Sequence, residues 1–147
     1  MANVELLGAD TSLLIAHSLE DHPDHEKVSK LVAEVLAHGN LLALCPVVID
    51  EFIHVITDAR RFEHPLEMAC AISLARTWSQ SKETMVVLPT EESLTLQLDW
   101  MQRHRLGRKR LHDTQIAAIY HLVGVETILS SNWRDFTIFD CFKIQSW

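Results

Sequence analysis

The sequence predicts one α/β domain in which helices cover both faces of a parallel sheet. Three observations lead there. Short apolar runs alternate with longer segments whose apolar residues recur at helical spacing. One or two such helical segments separate successive runs, which implies right-handed crossovers and parallel strands. The 147 residues, 48% of them apolar, suit a single domain over 1–147 with one core.

Val4 to Ala9 reads as the first buried strand, and a helix through Leu13-Leu14-Ile15-Ala16 follows directly after Asp10-Thr11-Ser12. Asp24 is placed to cap the next helix, whose stripe is Val28, Leu31, Val32, Val35 and Leu36 and which Gly39 closes. Leu41 to Cys45 is the second strand. Pro46 then sits at the first position of a helix running to about Ala59. Pro65 is expected to open a helix reaching Gln80, with Leu66, Ala69, Cys70, Ile72 and Leu74 available for burial. Met85 to Leu88 is the third strand. Thr90-Glu91-Glu92-Ser93 begins a helix with acidic residues in its first turn, where the helix dipole favours them. Its expected stripe is Leu94, Leu98 and Met101. A further helix begins at His112 or Asp113, buries Ile116, Ala117, Tyr120 and Val123, and stops at Gly124. Thr127 to Leu129 is the fourth strand, and Phe142 to Ile144 a fifth at the edge.

Composition narrows the function classes. The longest apolar stretch, Leu41 to Ile49, is broken by Pro46, whereas a membrane span needs roughly 20 residues. Met-Ala-Asn-Val-Glu at the start has no basic region before an apolar one, so no secretory signal is expected. Cys45, Cys70 and Cys141 are odd in number and widely spaced, which suggests reduced thiols and a cytoplasmic setting. The net charge of −7 argues against a non-specific nucleic-acid binder of high affinity. A local basic cluster runs against that balance: Arg103, Arg105, Arg108, Lys109 and Arg110, with His104 and His112 among them. It is either a solvated loop or a site for a nucleic-acid backbone.

Parallel sheets of this kind bind ligands at the carboxyl ends of their strands. Asp10 ends the first strand, where it can cap a helix or hold a ligand. Ser12 can serve a turn or reach a phosphate. Glu51 falls in the arc between Val47, Val48 and Val55, while Asp50 points elsewhere, towards His54. A carboxylate in an apolar arc must be paired, protonated or metal-bound, because an unpaired buried charge is unstable. Asp113 lies on the face of its helix that carries Ile116, Ala117 and Tyr120, and capping also explains it locally. Asn132 and Asp135 follow the fourth strand, where a plain turn is the simpler account. Each signal alone is ambiguous. Together they place oxygen ligands where a parallel sheet can make them converge, and a carboxylate cluster repels itself unless cations neutralise it. Mg²⁺ and Mn²⁺ prefer such oxygen ligands.

Four segments in order resemble the PIN-domain proteins, and in particular the VapC-type ribonuclease toxins. They are Gly-Ala-Asp10-Thr-Ser12-Leu-Leu, Val-Val-Ile-Asp-Glu51-Phe, Leu-His-Asp113-Thr-Gln-Ile-Ala-Ala-Ile and Leu-Ser-Ser-Asn132-Trp-Arg-Asp135-Phe. The resemblance covers nearly the whole chain. It implies a three-layer α/β/α PIN-like fold with a central parallel sheet of four or five strands. It implies cleavage of RNA dependent on Mg²⁺ or Mn²⁺, with Asp10, Glu51 and Asp113 as the core acids. It also suggests a homodimer inhibited by a small antitoxin that covers the site. Asn132 stands where many relatives carry Asp. Its amide offers a neutral carbonyl without the charge, and Asp135 is the alternative fourth acid.

On this reading Asp10 and Asp113 hold one ion, and a second lies near Glu51 and Asp135. Glu51 can instead orient the attacking water as a base. Arg108, Lys109 and Arg110 are candidates to steer the RNA backbone. A rival from another class is a PIN-like module with weakened catalysis that acts by binding RNA or protein, favoured by the net charge and Asn132. A zinc site is disfavoured, since His22 and His25 are the only close pair. A phosphatase using Asp10 as nucleophile lacks a second nearby acid to protonate the leaving group.

Overall fold

The computed structural model describes residues 3–147. The start of the N-terminal segment read for a secretory signal lies outside them. Five strands form one parallel sheet: β1 (Leu6–Ala9), β2 (Leu41–Leu44), β3 (Thr84–Val86), β4 (Thr127–Leu129) and β5 (Lys143–Gln145), in the order β3-β2-β1-β4-β5. Seven helices connect them: α1 (Thr11–Ser18), α2 (His25–Ala37), α3 (Pro46–Ile56), α4 (Met68–Gln80), α5 (Glu91–Arg103), α6 (Leu111–Leu122) and α7 (Arg134–Thr137). The result is the expected three-layer α/β/α arrangement. No helix of the described residues is long and apolar enough to cross a membrane.

The strand order decides where a site can form. From β1 the chain builds outward through β2 and β3 on one side, and through β4 and β5 on the other. β1 and β4 therefore flank the topological switch point, where sheets of this kind place their ligands. Asp10 and Ser130 are the residues that follow those two strands.

Tyr120 fastens the sheet beside this switch point. Its side chain is fully buried on α6, and its hydroxyl donates to the carbonyls of Ala9 (2.5 Å) and Ala43 (3.0 Å), on adjacent strands. The ring lies so close to β1 that a Cβ at Gly8 would come within 2.7 Å of Tyr120 Cδ2. Glycine at position 8 is thus required by packing, not by a turn.

Several boundaries and faces differ from expectation. β1 begins at Leu6, with Val4 exposed, and β3 covers Thr84–Val86, leaving Leu88 exposed beyond it. β5 is shifted by one residue but takes the expected edge. α3 ends at Ile56, because the Thr57 hydroxyl bonds back to the Ile53 carbonyl and Asp58 turns the chain with Arg60 and Arg61. α4 begins at Met68, not at Pro65: the Leu66 amide is spent on the Ile56 carbonyl, which straps this segment to the end of α3. α4 buries Ala71 and Ala75, while Ala69, Cys70 and Ile72 face outward. Asp24 occupies the N-cap position of α2 without a capping bond, and its carboxylate accepts the Trp147 indole N–H at 3.3 Å instead.

The largest correction concerns α5. Leu94 and Leu98 are more than half exposed, and the buried face carries Ser93, Gln97 and Trp100. The two stripes have the same spacing and differ by one residue, so the helix is turned by about 100° from the expected phase. Ser93 is held in a reciprocal capping box with Thr90, and Trp100 stacks on Phe139 with ring centroids 4.7 Å apart. α6 starts at Leu111, one or two residues earlier than expected, and Val123 lies beyond it and is exposed.

Tyr120→Phe is expected to lower the unfolding free energy by about 1–3 kcal/mol, because two buried carbonyls lose a shared donor. Gly8→Ala should cost about 1–3 kcal/mol through overpacking against the same ring. Urea denaturation of both variants checks this; unchanged midpoints would remove Tyr120 from its fastening role.

Candidate active site

Asp10 sits at the N-cap position of α1, yet its side chain makes no capping bond. It is 5% exposed, and Ser130 Oγ donates to its Oδ2 at 2.6 Å. Ser12 Oγ donates to the same oxygen at 3.4 Å and accepts the Ser131 amide at 3.2 Å. The Asn132 amide in turn bonds to Ser130 Oγ at 2.9 Å. The loops after β1 and β4 are therefore stitched across the switch point by two serines, with the Asp10 carboxylate between them. Burial raises the pKa of Asp10, the Ser130 hydrogen bond opposes that rise, and the charges of Glu51 and Asp135 add to it.

Glu51 lies on α3 at the margin of the buried face formed by Val48, Phe52 and Ile56, while Asp50 is exposed, as the facing argument required. Thr11 Oγ1 donates to Glu51 Oε2 at 2.7 Å, which links the start of α1 to α3. Asp113 is the third residue of α6 and not its cap, so capping does not explain it. Its pKa is raised to about 7 by burial and by the charge of Asp135, with smaller contributions from Asp10 and Glu51, against the lowering effect of Arg110. Asp135, in the first turn of α7, is raised by burial and by Glu51, again opposed by Arg110.

Carboxylates from the end of β1, α3, α6 and α7 are thus brought near one another, and the charge of Glu51 bears on the other three. Asn132 is exposed, and its main-chain carbonyl accepts the Asp135 amide. Among the described residues no three His, Cys, Asp or Glu side chains are gathered tightly enough to hold an ion as they stand. The donor set still suits a hard divalent cation: it is all oxygen, and its acids are held partly uncompensated.

The basic cluster divides in two. Arg108 and Lys109 are exposed on a short 3-10 turn, Arg108–Arg110. Arg110 is instead drawn inward: its Nε lies 3.4 Å from Asp113 Oδ2 and its Nη2 donates to the Asp135 carbonyl. Ser12, expected to reach a phosphate, spends its hydroxyl on Asp10 and the Ser131 amide. Sequence reasoning assigned no role in the site to Ser130 or Thr11; it placed Tyr120 in the core, as observed, but not its hydroxyl bonds to Ala9 and Ala43. Ser130 follows the apolar run of β4 as Asp10 follows that of β1, so the strand-end rule had the means to find it. Nothing local marks Thr11.

A family model described as the PIN domain matches residues 9–140. The chain belongs to the PIN-domain family. It is 23% identical over 141 residues to Ribonuclease VapC24 of Mycobacterium tuberculosis, covering 95% of this chain and 94% of that protein. Its fold matches that of VapBC-1 from nontypeable Haemophilus influenzae with a TM-score of 0.67 and 16% identity, over 97% of this chain and 98% of that one. It matches Mycobacterium tuberculosis VapC20, described as a toxin that cleaves the sarcin–ricin loop, with a TM-score of 0.67 and 18% identity, over 87% and 92% of the two chains.

The raised Asp113 pKa has a definite sign. The folded carboxyl binds its proton more tightly than the unfolded one, whose value is 3.8, so its contribution to stability is lost as pH rises from about 4 through about 7. Asp113→Asn removes that loss. In EDTA at pH 8 it should melt roughly 3 °C above the wild type, the shift that about 1 kcal/mol gives in a domain of this size after discounting for solvent screening. At pH 4 the gap should close. A gap that is the same at both pH values would mean that the Asp113 proton is not involved.

Proposed function

We propose that this chain is an endoribonuclease that uses Mg²⁺ or Mn²⁺ to hydrolyse RNA phosphodiester bonds. It is, on this reading, a cytoplasmic, homodimeric toxin of a type II toxin–antitoxin pair, restrained by a small antitoxin. The observation that carries the reading is that Asp10, Glu51, Asp113 and Asp135, distant in the sequence, lie close enough to influence one another's charge beside the switch point. The similarity to Ribonuclease VapC24 and to VapC20, a toxin that cleaves the sarcin–ricin loop, supports the substrate class. The antitoxin and the homodimer follow from the resemblance to VapC-type toxins.

Asp10 and Asp113 would hold one ion, with Glu51, Asp135 and the Asn132 amide oxygen available to it or to a second. A bound ion supplies Lewis-acid polarisation of the scissile phosphate and a more acidic water. The chain's own residues provide the rest. Ser130 and Ser12 fix the Asp10 carboxylate from both loops. Thr11 occupies Glu51 Oε2 and thereby orients the carboxylate that can accept the proton of the attacking water. Arg108 and Lys109, exposed beside the start of α6, attract the RNA backbone into an otherwise acidic site. A second reading, a PIN module that binds RNA or protein with weakened catalysis, is favoured by Asn132, a neutral amide where the resemblance to VapC-type toxins leads to an acid.

Purified protein freed of any partner is expected to cleave single-stranded RNA with Mg²⁺ or Mn²⁺ and to stop on addition of EDTA. Glu51→Gln should slow cleavage roughly 10²- to 10⁴-fold, and Asp10→Asn should abolish it, whereas exposed Asp50→Asn should change it little. Cleavage that survives thorough chelation would rule out the metal, and RNA binding without cleavage would favour the second reading.

Charge reversal at Arg108 and Lys109 should weaken RNA binding and flatten its dependence on salt, since fewer counterions are released. An unchanged slope in binding titrations between low and high salt would assign the two residues to a solvated loop or a protein interface.

A further inference from the structure

Arg110 is unlike the other basic residues of its cluster. It occupies the N-cap position of α6, one turn before Asp113, and its side chain is 27% exposed, against 84% for the surface arginine Arg60. Its guanidinium lies between two elements: Nη2 donates to the main-chain carbonyl of Asp135, and Nε faces Asp113 Oδ2 at 3.4 Å. That Nε is sealed from water and makes no hydrogen bond. A buried donor left without a partner is unfavourable, so something must compensate for its position. The compensation is electrostatic. Arginine keeps its charge at any ordinary pH, and here the charge lies against Asp113 and Asp135, themselves under the influence of Asp10 and Glu51.

We propose that Arg110 is the resident counter-cation of the acidic cluster, holding Asp113 in place of a divalent ion and competing with that ion when it binds. The pair is built to be broken. An ion pair at 3.4 Å without a hydrogen bond is weaker than a forked one, and a divalent ion carries twice the charge. The bond from Nη2 to the Asp135 carbonyl does not depend on the Asp113 contact, so the α7 segment stays tied to the start of α6 when the carboxylate turns away. Arg110 thereby sets the metal concentration at which the site fills. The competition rests on the metal-dependent reading above; the counter-cation role does not.

Two measurements on the intact protein separate these parts. In Mn²⁺ titrations followed by the electron paramagnetic resonance of the free ion, Arg110→Gln should bind Mn²⁺ about tenfold more tightly than wild type, since a positive charge has left the neighbourhood of the ligand. Arg110→Lys keeps the charge but not the planar fork, and should stay within about threefold of wild type by the same argument. Equal or weaker binding by Arg110→Gln, or a lysine variant that behaves like the glutamine one, overturns the competition and leaves Arg110 a structural clamp. In EDTA, Arg110→Gln should melt below wild type, and the loss should shrink by about half or more when Asp113→Asn is present in both, because neighbouring groups couple. A loss undiminished by Asp113→Asn overturns the counter-cation role. If wild type takes up no Mn²⁺ while the melting temperatures couple as expected, the counter-cation role stands and the metal-dependent reading falls.

Discussion

The hydrogen bond from Ser130 to the buried carboxylate of Asp10 joins the ends of the two strands that flank the switch point. A carboxylate taken out of water needs donors, and the second loop supplies one directly and, through Ser12, braces another. Because β1 and β4 are neighbours running in parallel, their following residues are forced into each other's reach. Asn132 and Asp135 are carried along by that loop, as Thr11 and then Glu51 are aligned from the other side. The geometry of the candidate site therefore follows from one strand pairing and one buried acid.

Holding acids together has a consequence that runs through the rest of the domain. The folded state raises the pKa of Asp10, Asp113 and Asp135, by burial first and by mutual repulsion second. That is free energy opposed to folding at neutral pH. It is offset by an apolar core on both faces of the sheet and by anchors near the carboxyl ends of its strands. Tyr120 is the clearest: its ring fills the space that Gly8 leaves, and its hydroxyl joins the ends of β1 and β2. Arg110 offsets the repulsion from above, with permanent positive charge. After these measures the acids of the candidate site remain partly uncompensated.

Legibility differed from element to element for identifiable reasons. α2 was read correctly because its apolar residues fall on one clean stripe and Gly39 ends it in the left-handed conformation, with φ of 79°. α5 was misphased because Leu94 and Leu98 are more apolar than Ser93 and Gln97, and hydrophobicity alone chose the wrong face. The capping box and the Trp100–Phe139 stack outweighed two leucines, and neither partner of that stack is local to the other. α4 began late because the Leu66 amide was claimed by Ile56, a bond across a connection that no propensity scale contains.

For the site, the sequence by itself determined the chemistry available: which strand ends carry acids, that Asp50 and Glu51 point apart, and that the fourth segment offers an amide at Asn132 and a carboxylate at Asp135. These follow from strand-end position and the 100° step of a helix, both local properties. Only the tertiary structure decided which groups share a field. It took Arg110 out of the surface cluster and placed it against Asp113, set the Ser12 hydroxyl on Asp10, and brought Ser130, distant by 120 residues, onto the same oxygen. The reason is physical: electrostatic and hydrogen-bonding partners are chosen by distance in space, and in a parallel sheet that distance is set by strand order, which the local pattern of residues does not contain.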